Sequence, residues 1–163
     1  MNKEIQSIIR RIETVNSGEP WFGRPVLAIL EEVDPKKATV KPASPEGRPG
    51  DTAHAILELL YHMITWAEFT LKRIEKDDSM DLAAFEKIDW REIDPKLHTW
   101  KKALAAYKAT HKKIVALLNK KDDDFLLEMV DHRKYNYRFL LNGMIDHNIY
   151  HLGQIAYVNK MLA

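Results

Sequence analysis

The chain has 163 residues, 45% of them apolar, which suffices for one hydrophobic core and is too little for two comfortable ones; a single domain over 1–163 is expected. Its 25 basic residues nearly cancel 24 acidic ones, so no net field holds it on a phosphate backbone or an anionic membrane, and neither nucleic acid nor membrane is expected as a partner. Cysteine is absent, which excludes disulfides and thiolate sites and leaves nitrogen and oxygen as the metal donors.

The first residues, Met1 to Ile12, are charged and amphipathic, and nowhere do eighteen apolar residues follow one another; a cytoplasmic protein is the expectation. From Asn2, the residues Ile5, Ile8, Ile9, Ile12 and Val15 recur at three- and four-residue steps, a helical stripe that Gly18 and Pro20 stop. Pro25 is placed as the first residue of a short cross helix through Val26, Leu27, Ile29, Leu30 and Val33. Residues 34–50, rich in proline and glycine, read as an ordered loop.

Asp51 or Thr52 can cap the next helix, whose stripe of Ile56, Leu59, Leu60, Met63, Trp66, Ala67, Leu71 and Ile74 holds to about Lys76. The span from Asp77 to Pro95 has only scattered apolar anchors and is expected to be loop with one weak helical turn. Pro95 then opens a helix to Leu118, a charged corner covers 119–124, and Phe125 to Val130 add one turn or a short extended piece. The last helix runs from near Asn136 to Leu162. Four main helices and one crossed short helix make a four-helix bundle, all-α, the natural architecture.

His147 and His151 are four residues apart, so on a helix both rings can meet one ion. A lone pair of this kind is a weak motif, but Leu140, Met144, His147, His151, Ile155, Val158 and Leu162 step by four and three, which puts both on the inward seam. Ala55, Leu59, His62, Trp66 and Phe69 place His62 on an inward stripe of the other long helix. Three inward imidazoles cost desolvation unless their nitrogens are satisfied, and a divalent cation bound by His62, His147 and His151 satisfies them; hydrogen bonds to backbone or water are the alternative. Three histidine ligands leave a position open for water or substrate, and the donor set suits zinc or nickel, with iron and manganese also compatible.

Glu58 is a candidate fourth ligand or outer acceptor, more readily explained as solvated helix face, and Asp146 and Gln154 are candidates to orient a ring. His54 reads as capping or surface, and His98, His111 and His132 as solvent-facing. Trp21, Trp66, Trp90 and Trp100 read as core or loop anchors, with Trp66 able to wall the metal pocket.

The segment from Ala55 to Trp66 (AILELLYHMITW), followed by Asp146 to Ile155 (DHNIYHLGQI), resembles the DinB-like family of metal-binding four-helix bundles. That resemblance implies an up-down-down-up bundle with a long crossover, a divalent metal on His62, His147 and His151, and frequently a homodimer. The family includes transferases that use low-molecular-weight thiols, a thiol-dependent isomerase and members assigned as hydrolases, so it implies a small-molecule substrate and, for the transferases, a thiol cofactor. The expected function is a metal-dependent enzyme that activates such a thiol or water against an electrophile, its catalytic acid or base unassigned. The alternative is a non-catalytic dimeric bundle with an interaction role.

Overall fold

The computed structural model describes residues 2–42 and 53–163. Among them are six α-helices, α1 (Lys3–Ser17), α2 (Val26–Glu31), α3 (Ile56–Glu75), α4 (Leu82–Asp89), α5 (Trp100–Leu118) and α6 (Tyr137–Met161), one 3-10 turn (Asp124–Leu127), and no strand. The all-helical expectation holds. The proposed caps Asp51 and Thr52, and residues 43–50 of the proline-rich loop, lie outside the described residues.

α1 forms where its isoleucine stripe predicts, and Ile5, Ile8, Ile9, Ile12 and Val15 are all buried. Each such side chain contributes roughly 1.5–3 kcal/mol on leaving water. The helix starts against a distant residue: the Asp123 carboxylate accepts the Ile5 N–H at 2.8 Å, and the exposed N–H groups of this first turn hold Asp123 below the usual carboxylate range. It stops at Gly18, where a Cβ would stand 2.8 Å from Thr14 Cα.

Contacts between helices fix their order and sense. Glu4 and Arg11 of α1 meet Arg138 and Asp146 of α6, so these two run parallel. Asn16 of α1 accepts from the Tyr107 hydroxyl of α5, and Gln6 meets Asn119 just beyond α5, so α1 and α5 are antiparallel. Tyr137, opening α6, donates to the carbonyl of Arg73 near the end of α3, while His147 lies beside His62 further along, so α3 and α6 are antiparallel. The bundle is therefore up-down-down-up. Because α3 and α5 point the same way, residues 76–99 must return along the bundle, and this is the long crossover.

Four local expectations are corrected. The crossover holds a two-turn helix, α4, whose N-cap Asp81 accepts the Ala84 N–H at 2.8 Å and whose Phe85 is buried. α5 begins at Trp100, not Pro95, because Asp94 organises a separate turn with Leu97 and His98 while Thr99 caps the helix through the Lys102 N–H. His111 is not solvent-facing: it is buried on α5, its charged neighbours lying on the helix's other face. Trp21 anchors nothing and is fully exposed.

Candidate metal centre

α3 is buried on nearly every side because α5 and α6 both pack on it, so a polar residue at its middle must find partners within the bundle. His62 is that residue, and the antiparallel run of α6 lays His147 and His151 across from it. The sequence placed these three together, and the structure does so. Nε2 of His62 and Nε2 of His147 are 2.9 Å apart, and one nitrogen from each ring lies within 4.8 Å of the others.

The outer nitrogens show which lone pairs are free. His62 Nδ1 lies 2.5 Å from the Asp89 carboxylate, which can only accept, so Nδ1 carries the proton and Nε2 presents its lone pair inward. His151 Nδ1 lies 2.8 Å from Oε1 of Gln154 and is protonated for the same reason, again leaving Nε2 as the open donor. His147 Nδ1 is buried without a partner. Burial lowers His62 to about 4 and His147 to about 3, with the neighbouring histidines adding to the effect, and burial also lowers His151; at neutral pH all three rings are uncharged, the state a metal ligand requires.

The donor set fits a divalent cation. Two nitrogens about 2.1 Å from one ion stand roughly 2.9–3.4 Å apart for ligand angles between right and tetrahedral, and the His62–His147 approach falls at the lower end. Without an ion, two neutral imidazoles share at most one hydrogen bond along that line, and His151 Nε2 gains no protein partner from it.

Two residues of the site escaped the sequence analysis. Asp89 ends α4 and Trp90 follows it, and the Trp90 ring stacks on His62 at 4.0 Å and 9° and on His54 at 3.8 Å and 12°. The available signal was the Asp81 cap followed by Leu82, Phe85 and Asp89 at helical steps, masked by the acidic surroundings. Of the weighed candidates, Gln154 does orient a ring. Glu58 instead accepts the Ala55 N–H at 2.8 Å where α3 starts, and Asp146 pairs with Arg11 on the surface. Trp66 walls an apolar pocket that also touches His147.

The model of the DinB superfamily matches residues 24–155, and this span includes all three histidines. The chain belongs to the DinB superfamily. No curated protein sequence matches it. A solved structure, the colibactin self-resistance protein ClbS in complex with double-stranded DNA, is similar at 15% identity with a TM-score of 0.70, over 96% of this chain and 95% of that one. At that identity the likeness shows the DinB-like fold.

This neighbour overturns the expectation of no nucleic-acid partner, which rested on charge balance alone. Net charge sums over a whole molecule, whereas a duplex meets one face. Here α5 carries Lys101, Lys102, Lys108, Lys112 and Lys113, all exposed, and no carboxylate, with Lys108 paired to Glu31 of α2 at 2.6 Å and the other four lysines in no ion pair among the described residues. The membrane expectation is of a different kind, and among the described residues no helix is long and apolar enough to cross one.

Proposed function

We propose that this chain is a metal-dependent enzyme of the DinB superfamily, with His62, His147 and His151 as the ligands of one divalent cation, zinc or nickel in first place and iron or manganese next. The observation that carries the reading is the pairing of outer nitrogens: Asp89 and Gln154 each hold an Nδ1–H, which turns the Nε2 atoms of His62 and His151 inward as lone-pair donors. When bound, such an ion supplies Lewis acidity that lowers the pKa of a coordinated thiol or water. The chain's own residues do the rest. Asp89 fixes the tautomer of His62, Gln154 that of His151, and Trp90 covers the His62 ring and limits water on that side. With no cysteine in the chain, a thiol nucleophile would come from a low-molecular-weight cofactor, and a small-molecule electrophile would be its target. The same reading puts a homodimer contact on the outward stripe of α6, where Phe139, Tyr150, Tyr157 and Met161 are exposed.

The test is elemental analysis of chain purified without added metal or a histidine tag, beside His151→Ala. About one ion per chain in the wild type, lost in the variant, supports the reading and selects the ion for thiol-transfer and hydrolysis assays. No ion in either, even after reconstitution, sinks it.

A second reading, duplex DNA as partner, draws on the duplex held by the similar structure and on the lysine face of α5. Fluorescence anisotropy of a labelled duplex would show binding that weakens steeply with salt and is lost in Lys112→Glu/Lys113→Glu. Binding that ignores salt or the double substitution would refute it.

A further inference from the structure

Beside the three histidines lies a pocket of about 210 Å³ whose wall is almost wholly apolar. Trp66, Phe69, Tyr135 and Phe139 supply aromatic surface, and Leu140 and Met144 add aliphatic wall. The rings are mutually braced: Trp66 meets Phe69 edge-on at 5.6 Å, and Tyr135 leans on Phe139 at 5.1 Å. Of the three histidines only His147 lines this pocket, and its Nδ1 is buried without a protein partner. The pocket thus abuts the candidate metal centre through the His147 ring.

We infer that this pocket is the subsite for the apolar body of the substrate, a small molecule bearing one aromatic ring or a short aliphatic chain, with its polar, reacting end at the histidines. This rests on the metal-enzyme reading for the polar end only. Size selects the class: a dry apolar cavity of about 150 Å³ suffices for benzene, so the space here takes a single ring and little more. A large polar body, such as a peptide or a sugar chain, would leave its hydrogen-bonding groups unpaired against these walls. Gly143 lines the pocket, and a Cβ added there meets nothing within 4 Å. A leucine at 143 therefore fills the space without disturbing the helix, where it is a better helix former than glycine.

The experiment titrates the zinc-loaded full chain with benzohydroxamate and acetohydroxamate by calorimetry, in the wild type and in Gly143→Leu. The phenyl compound should bind at least about tenfold more tightly to the wild type, and Gly143→Leu should lose that preference while still holding zinc. Equal affinities in the wild type, or a preference that survives Gly143→Leu, overturn the inference. If the chain takes up no zinc, the metal reading fails and the pocket is tested by itself, with toluene added to the metal-free chain. Shifts of the Leu140 and Met144 methyl resonances in the wild type, absent in Gly143→Leu, uphold the subsite; no shifts in the wild type overturn it.

Discussion

α6 contributes to two histidine clusters that have opposite bookkeeping. On one side Asn148 donates to Nε2 of His111 at 2.9 Å, and His111 Nδ1–H donates to the Tyr107 carbonyl at 2.9 Å, so both nitrogens of this ring are satisfied by the chain itself. One residue earlier and three later, His147 and His151 face His62, and there the protein holds outer nitrogens while inner ones confront one another. Both clusters are buried, so burial alone does not distinguish a ligand from a structural histidine. What distinguishes them is whether every nitrogen has an answer within the protein.

Exchanging the losses gives the largest expected effect. His111→Ala should cost about 4 kcal/mol of stability, part cavity and part stranded Asn148 amide, and leave the ion in place. His151→Ala should remove the ion yet cost the metal-free chain clearly less. Denaturant unfolding and metal content measured on both variants decide it, and a swap of the two outcomes would break the comparison.

Acid titration is next in size. Burial lowers His111 to about 4, below the usual value near 6.5, so as pH falls the unfolded chain takes up its proton first. The contribution is complete above about pH 6.5 and is lost progressively down to about pH 4, of order 3 kcal/mol for this one group. Burial lowers His62 and His147 in the same direction, so metal-free wild type should lose more stability than this over that window. His111→Gln should flatten part of the dependence in unfolding curves taken at pH 7, 5 and 4. An unchanged slope would place the sensitivity elsewhere.

How much of this the sequence disclosed follows from how local each signal is. The isoleucine stripe of α1 and the four-spaced pair on α6 are written in single helices, and both are found where the periodicity put them. His111 was misjudged because Lys112 and Lys113 beside it mark the exposed face, while its own position four after Tyr107 and three before Ile114 marks the buried one. Asp89 and Trp90 were missed for a stronger reason. They lie 27 and 28 residues from His62, and only the return of the crossover along the bundle, a consequence of helix sense, brings them to it. The lysine face of α5 was hidden by arithmetic, since a total charge of +1 has no memory of where its terms reside.

Within the candidate centre, the outer partners should count for less than the ligands. Asp89→Ala frees the His62 ring to rotate and to exchange tautomers, and a loss of about 10- to 100-fold in metal affinity is expected, with Asp89→Asn recovering part of it because an amide oxygen still accepts. Competition with a metal-chelating dye measures this. Affinity unchanged in Asp89→Ala would mean that Trp90 stacking alone orients the ring.

The smallest effect separates stability from the site most cleanly. Asn136 caps α6 by accepting the Phe139 N–H at 3.1 Å, and Asn136→Ala should cost about 1 kcal/mol. That cap lies three helical turns before His147, and the intervening turn at Leu140, Leu141 and Met144 is packed into the core. Fraying at the start of α6 should therefore stop short of the histidines, and metal content should not change. If it does fall with the cap, the α6 ligands are held by the helix as a whole and not by their own outer hydrogen bonds, and the contrast between the two clusters loses its physical basis.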